Sequence, residues 1–132
     1  MPEASRTEPK IRCHGLWKVF GDAAEAACAR RSNGTSVDEA IAGTGAIIGA
    51  SDVNLEIAPG ELFVIMGLSG SGKSTVLRCI AQLQRPSAGE VWLDNANLAT
   101  MPEAQLMDIR RHRMGMVFQN FGLVPHFTAL QN

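Results

Sequence analysis

The sequence has no excess of charge of either sign. Twelve Lys and Arg side chains stand against thirteen Asp and Glu, and the formal net charge of the 132 residues is −1. A protein that binds nucleic acid or an anionic membrane surface through electrostatics usually carries a basic patch or an overall positive charge. The balance therefore argues against both partners, and we expect no nucleic-acid partner.

Long apolar runs are also missing. No run approaches the roughly 20 residues that a bilayer-spanning helix needs. Residues 1–10, MPEASRTEPK, mix charges with prolines and lack the apolar centre of a secretory signal. These absences predict a polar tail over residues 1–10, followed by one cytoplasmic domain whose hydrophobic content of 45% is ordinary for a globular protein.

Cysteine is scarce and irregularly placed. The three cysteines, Cys13, Cys28 and Cys79, are odd in number, widely spaced and form no C-x-x-C pair. That pattern fits free thiols in a reducing compartment better than a disulfide framework or a zinc site.

Hydrophobic periodicity predicts alternating strands and helices. Alternation of apolar and polar residues indicates a strand with one wet face, whereas a run that is apolar on both faces indicates a strand buried in a parallel sheet. The predicted strands are 11–20, 53–57, the doubly apolar 62–66, 90–94 and the final MGMVFQ at 114–119.

Four helices are predicted between these strands. Two short ones, each opened by a capping box, fall within 22–42. A third begins at Ser74, and a fourth has Pro102 in its first turn. The third should bury the stripe Val76, Leu77, Ile80, Ala81 and Leu83. The fourth should bury Leu106 and Ile109 and end in a solvated group formed by Arg110, Arg111 and Arg113.

A glycine-rich loop joins the apolar strand 62–66 to the third helix. Its sequence, GLSGSGKST, fits the phosphate-binding pattern G-x-x-x-x-G-K-[S/T] in the strand–loop–helix context that the pattern requires. Glycines permit the backbone angles of an anion-binding nest, and the helix N-terminus adds unpaired N–H groups. Lys73 can reach the β- and γ-phosphates, and the Ser74 hydroxyl can ligate Mg²⁺. The loop predicts nucleoside triphosphate binding through Gly67, Leu68, Ser69, Gly70, Ser71, Gly72, Lys73, Ser74 and Thr75.

Hydrolysis would need an acid as well, and VWLD at 91–94 offers the nearest one. Asp94 after a short apolar strand could hold Mg²⁺ as a Walker B residue does. Turn residues flank this strand on both sides, so we favour the simpler interpretation that Asp94 opens a turn.

Further stretches make the chain resemble the ATP-binding subunits of ABC transporters, and more narrowly those of glycine betaine/proline (quaternary amine) importers. The matching stretches are LWKVFG at 16–21, ELFVIMGLSGSGKST at 61–75, PSAGEVWLD at 86–94, RRHRMGMVFQNF at 110–121 and LVPHFTALQN at 123–132. The segment 22–42 matches a helical insertion of this subfamily.

The resemblance implies an α/β fold of the P-loop NTPase class. Residues 11–132 would be the N-terminal half of an ABC-type nucleotide-binding domain with an antiparallel β subdomain. Its helical subdomain and C-terminal half would be absent. It also implies ATP and Mg²⁺ as cofactors, with Phe20 stacking on adenine, Lys73 and Gln119 acting in catalysis, and Ser74 and Gln119 on the metal. From the residues alone, Phe20 is more simply an ordinary core aromatic, and only the family pattern reverses that interpretation. Trp17 is the fallback stacking residue, and Gln119 by itself is a polar strand end.

The partners implied by the resemblance are a membrane permease, contacted through 119–127, and a second ATP-binding subunit. A periplasmic or extracellular solute-binding protein would act indirectly, and the location would be the inner face of the cell membrane. The exposed aromatics of 120–127 fit either docking on the permease or burial against the rest of the domain.

Several family elements are missing from the sequence. There is no SGGQ signature, no Walker B strand with a catalytic glutamate, and His14, His112 and His126 do not match the switch histidine. Asn95 replaces a customary glycine. We therefore expect the 132 residues alone not to hydrolyse ATP. The alternatives are a truncated, inert nucleotide-binding module and a small-molecule kinase that uses VWLD. A GTPase is disfavoured because no N-K-x-D motif occurs.

Overall fold

The computed structural model describes residues 8–22, 28, 34, 39, 41–120 and 122–132. The two helices predicted within 22–42, and most of the polar tail, lie outside these residues. The elements in chain order are β1 (Ile11–Phe20), β2 (Ile47–Ile57), α1 (Lys73–Ile80), β3 (Ala88–Leu93), β4 (Ala96–Asn97), a 3₁₀ turn (Leu98–Thr100) and α2 (Glu103–His112). No helix among the described residues is long and apolar enough to cross a bilayer.

The strands form one antiparallel sheet in the order β2-β1-β3-β4. The central strand, β1, pairs Ile11 with Ile57 on one side and with Leu93 on the other. Both ladders shift register near Gly15, whose φ of 54° marks a bulge and re-aims the second half of β1. This sheet is the antiparallel subdomain that the resemblance implied.

One hydrophobic core joins this sheet to both helices. Its buried members come from β1, β2, α1, β3, the 3₁₀ turn and α2: Cys13, Leu16, Ala50, Val76, Cys79, Ile80, Val91, Leu93, Leu98, Leu106 and Ile109. Helix α1 contributes the i, i+3, i+4 stripe of one amphipathic face, which fixes the helix and the loop before it against the sheet.

The predicted strands 11–20 and 53–57 are confirmed, and β2 begins earlier than expected, at Ile47. The strand predicted at 90–94 is β3, which begins two residues earlier and ends at Leu93, before Asp94. Helix α2 has Pro102 as its N-cap and buries Leu106 and Ile109, as predicted.

The predictions for 62–66 and 114–119 are wrong. Neither segment forms a strand or pairs with one among the described residues. Leu62 is 89% exposed and Val117 is 95% exposed. An apolar run indicates that a segment suits a buried environment, but a strand also needs neighbours for its backbone groups, and the described sheet supplies none here.

The stripe predicted for α1 is partly wrong. Val76 and Ile80 are buried, but Leu77 and Leu83 are largely exposed and Cys79 takes the inner position. The helix ends at Ile80, and the Arg78 carbonyl accepts hydrogen bonds from the N–H groups of Leu83 and Gln84, so Leu83 follows the helix rather than extending its face.

Candidate functional site

The glycine-rich loop, residues 67–72, forms a concave turn at the start of α1. Gly70 and Gly72 have φ angles of 77° and 90°, and the Ser71 N–H donates to the Leu68 carbonyl over 3.2 Å. These angles are strained for side-chain-bearing residues, which is why glycine occupies both positions. Alternation of such backbone angles turns successive N–H groups toward one side, as an anion-binding nest requires.

Lys73 lies across this turn. Its ammonium group donates to the Leu68 carbonyl and, over 3.2 Å, to the Ser71 hydroxyl. A Cβ on Gly67 would lie 2.8 Å from the Ser71 hydroxyl oxygen, so glycine at 67 leaves room for the loop to close around the lysine. The loop therefore brings Gly67, Leu68, Ser71 and Lys73 together.

The N-terminus of α1 adds partial positive charge at the same place. The first turn holds no acidic residue, no side chain caps it, and the first intrahelical bond runs from the Val76 N–H to the Gly72 carbonyl. The N–H groups of Lys73, Ser74 and Thr75 precede that bond and remain available for an anion.

Ser74 fits a Mg²⁺ ligand. It is exposed on the first turn of α1, and its hydroxyl makes no hydrogen bond with any other residue that the structure describes. Mg²⁺ takes one or two protein oxygens together with substrate phosphates, so a hydroxyl beside the phosphate-binding loop suits it.

Phe20 ends β1 and is half-buried. It lines a cavity of about 490 Å³, with Lys18, Val19, Gly21, Asp22, Cys28, Arg85, Pro86 and Ser87 as the other lining residues. The Lys18 ammonium lies 5.2 Å from the centre of the Phe20 ring and donates to the Arg85 carbonyl over 2.9 Å. Trp17 is only 5% exposed, so the fallback stacking residue is a core residue instead.

The loop lines a separate cavity of about 500 Å³, which it shares with β2 and the segment 63–66. The two cavities have no lining residue in common. What joins Phe20 to the loop is Gly49 in β2, which the Phe20 ring, Thr75 and Gly72 all approach. Sequence reasoning missed Gly49, although a glycine inside a strand often marks a close backbone approach.

Gln119 is not brought to the loop. It is exposed on the segment 116–123 beside a cavity of about 390 Å³, and no hydrogen bond among the described residues joins it to Lys73 or Ser74. The wider 119–127 segment is exposed throughout its described part, with Phe127 47% exposed and in edge contact with His126. Phe121 lies outside the described residues.

Asp94 takes the simpler of its two predicted roles. It opens a turn at φ 51°, and its carboxylate pairs with Lys10 over 2.9 Å and with Arg113. The hydrogen bond from Lys10, strengthened by the Arg113 guanidinium, holds the pKa of Asp94 below its ordinary range. A carboxylate with two cationic partners is a structural ion pair rather than an obvious metal ligand.

Two of the three arginines predicted to form a solvated helix end, Arg110 and Arg113, form ion pairs, whereas Arg111 is exposed. Arg110 donates to the Gln82 carbonyl over 3.2 Å and also pairs with the Glu103 carboxylate. The hydrogen bond from Arg110 to Glu103, together with Arg85, lowers the pKa of Glu103. Burial, with Cys79 nearby, raises the pKa of Cys13 to about 11, and burial also raises that of Cys79. These thiols are unreactive core groups.

A family model for the ABC transporter matches residues 50–132. The chain is 40% identical to the trimethylamine N-oxide transport system ATP-binding protein of Pelagibacter ubique, covering 96% of this chain and 37% of that protein. It is 44% identical to the glycine betaine/carnitine transport ATP-binding protein of Listeria monocytogenes (93% of this chain, 31% of that protein). The chain thus spans about a third of the length of these curated relatives.

Solved structures agree with this likeness. The dimeric structure of a bacterial ABC transporter cassette superimposes with a TM-score of 0.72 at 36% identity, over 92% of this chain and 44% of that one. A post-hydrolysis form of the same cassette, bound to ADP and phosphate, matches with the same TM-score at 35% identity, over 91% of this chain and 43% of that one.

Proposed function

This chain belongs to the ABC transporter family, and from that premise we propose that it binds MgATP at residues 67–75. We further propose that it does so as part of a subunit that energises import of quaternary or related methylated amines. One observation carries the proposal. The loop closes around Lys73 at an uncapped helix N-terminus, so an ammonium group and unpaired N–H groups converge where a triphosphate would lie.

Each predicted residue has a role in this proposal. The Lys73 ammonium and the N–H groups of 73–75 hold the phosphates, and Ser74 ligates Mg²⁺, which neutralises charge on the phosphate oxygens. Phe20 stacks on adenine. Gln119 would contact the metal and the attacking water only in an arrangement that brings segment 114–120 to the loop.

The substrate class is supported by the relatives, which are ATP-binding proteins of trimethylamine N-oxide and glycine betaine/carnitine transport. The proposed partners are a permease docked at 119–127, a second ATP-binding subunit and, indirectly, a solute-binding protein. The proposed location is peripheral, on the cytoplasmic face of the membrane. Residues 11–132 are proposed as the ABC-type unit, with 22–42 as its insertion.

Calorimetric titration with MgATP tests the binding step. Lys73→Ala should abolish measurable binding, because it removes the only side-chain cation that the described loop places on the phosphates. Arg78→Ala is the matched control, since it removes a cation from the last turn of the same helix and should leave the affinity within about twofold, as a distant exposed charge is screened. Equal losses in the two variants would contradict the assignment.

Base recognition is tested separately. Phe20→Ala should lower the affinity for MgATP but not that for magnesium tripolyphosphate, which has no base, because a stacked aromatic contributes to base binding. A wild-type protein that binds MgATP no better than magnesium tripolyphosphate would count against stacking by Phe20, while leaving the phosphate site intact.

A further inference from the structure

Gly49 is the point at which the Phe20 ring and the phosphate-binding loop meet. A Cβ built on Gly49 would lie 2.4 Å from Phe20 Cε2 and 3.0 Å from Thr75 Cγ2. On the other side, a Cβ on Gly72 would lie 2.2 Å from the Gly49 carbonyl oxygen. The backbone of this one residue therefore packs against the aromatic ring, the first turn of α1 and the last glycine of the loop.

Backbone conformation does not explain the glycine. Gly49 does not have a positive φ, and it is the unpaired residue of β2 between Ile48 and Ala50, where the β1–β2 ladder shifts register. Any residue can adopt that conformation, and glycine inside a strand weakens it. What the position requires is space, and the atoms that fill the space belong to the two parts of the proposed nucleotide site.

We propose that Gly49 is a positioning residue that sets the separation between the adenine-stacking ring and the phosphate-binding loop. The inference rests on the proposed function, in which Phe20 takes the base and residues 67–75 take the phosphates. The span from adenine to the γ-phosphate is limited by the ligand, so the ring and the loop must keep a matched separation to bind both ends. A methyl group at 49 displaces the ring first, because its shortest contact is with Phe20.

The test compares two ligands, MgATP and magnesium tripolyphosphate, on wild-type protein and Gly49→Ala. Tripolyphosphate carries the phosphates without the base. In Gly49→Ala the affinity for MgATP should fall by about tenfold, the scale of one lost base–aromatic stack, while the affinity for tripolyphosphate stays within about twofold. A purely structural role would lower both affinities together, and that result would overturn the proposal, as would no change in either.

A double-mutant cycle with Phe20→Ala separates the ring from the loop. Once the ring is gone, the added methyl at 49 should cost no further MgATP affinity, because its effect was transmitted through the ring. An additional loss of tripolyphosphate affinity in Phe20→Ala/Gly49→Ala would show that Gly49 acts on the loop and would overturn the proposal. This pair also keeps the test decisive if Gly49→Ala alone does not fold, since the clashing ring is absent.

Gly115→Ala is the matched control. It also adds one methyl to a glycine of ordinary φ, but a Cβ there has nothing within 4 Å. Both affinities should match the wild type. Failure of the proposed function itself looks different: wild-type protein would then bind MgATP no better than tripolyphosphate, or Phe20→Ala would change nothing.

Discussion

Replacing Gly72 by alanine should disable phosphate binding much more severely than the same change two residues earlier. Gly72 and Gly70 both have positive φ, so alanine is strained at either position by about 1–2 kcal/mol. Their surroundings differ. A Cβ on Gly70 meets nothing within 4 Å, whereas a Cβ on Gly72 would lie 2.2 Å from the Gly49 carbonyl oxygen.

The extra cost at Gly72 follows from geometry. Real Cβ atoms essentially never approach another atom below 3.0 Å, so the loop must move away from β2 by nearly an ångström. A hydrogen bond of about 2.9 Å lengthened by that amount is no longer a hydrogen bond. If two charge-assisted bonds from the α1 N-terminus to phosphate are lost, binding weakens by about 3–6 kcal/mol, or two to four powers of ten.

The assay is calorimetric titration of both variants with MgATP, accompanied by urea unfolding. Gly70→Ala should lose stability but retain MgATP binding within about tenfold, the equivalent of its strain. Gly72→Ala should show no measurable binding at concentrations where Gly70→Ala saturates. If both variants bind equally well, contact between the loop and β2 does not position the phosphate-binding groups, and the reasoning is refuted.

Three further predictions concern the fold that holds the site. Leu106→Ala should lower the free energy of unfolding by about 2–5 kcal/mol, because Leu106 is 1% exposed. Met107→Ala, at a position 51% exposed, should change the free energy of unfolding by no more than about 0.5 kcal/mol. Equal losses for the two variants in urea unfolding would contradict the core assignment. Asp94 has a lowered pKa in the folded state, so its stabilising contribution is complete above the ordinary value of 3.8 and is lost as the pH falls through the lower folded value. Asp94→Asn should therefore flatten the acid limb of the stability curve, and an unchanged acid limb would show that the pair with Lys10 and Arg113 contributes nothing. Cys13 and Cys79 are buried and have raised pKa values, so iodoacetamide should modify them only when the protein unfolds. Rapid modification of either cysteine in the native protein, detected by mass spectrometry, would refute their burial.

The strands with one solvent-facing side were predictable because the alternation of apolar and polar residues that indicates them lies within each strand. Val53, Leu55 and Ile57 alternate with polar residues, and that alternation is the same whichever strand pairs with β2. The phosphate-binding loop was equally accessible, since its spacing and its strand–helix context are local. Helix α1, which follows this loop, begins at Lys73, one residue before the expected Ser74.

Other features depend on partners that sequence alone does not identify. The apolar runs 62–66 and 114–119 indicated burial, but nothing in them specifies the strands they would pair with. Gly49 became informative only once the sheet register put it beside Phe20 and Thr75, residues far away along the chain. The two roles offered for Asp94 were separated by its contact with Lys10, 84 residues away.

That long separation also bears on how the chain folds. The β1–β2 ladder closes between Phe20 and Ile47, but the β1–β3 ladder must join Ile11 to Leu93, next to the contact between Lys10 and Asp94, which are 84 positions apart. The entire phosphate-binding loop lies inside that closure. Pairings of high contact order form slowly because the entropy of closing the loop is lost before the contacts form. During synthesis, β1 must therefore wait for β3 to emerge before its second edge is covered, although β1 is the first strand of the sheet to be made.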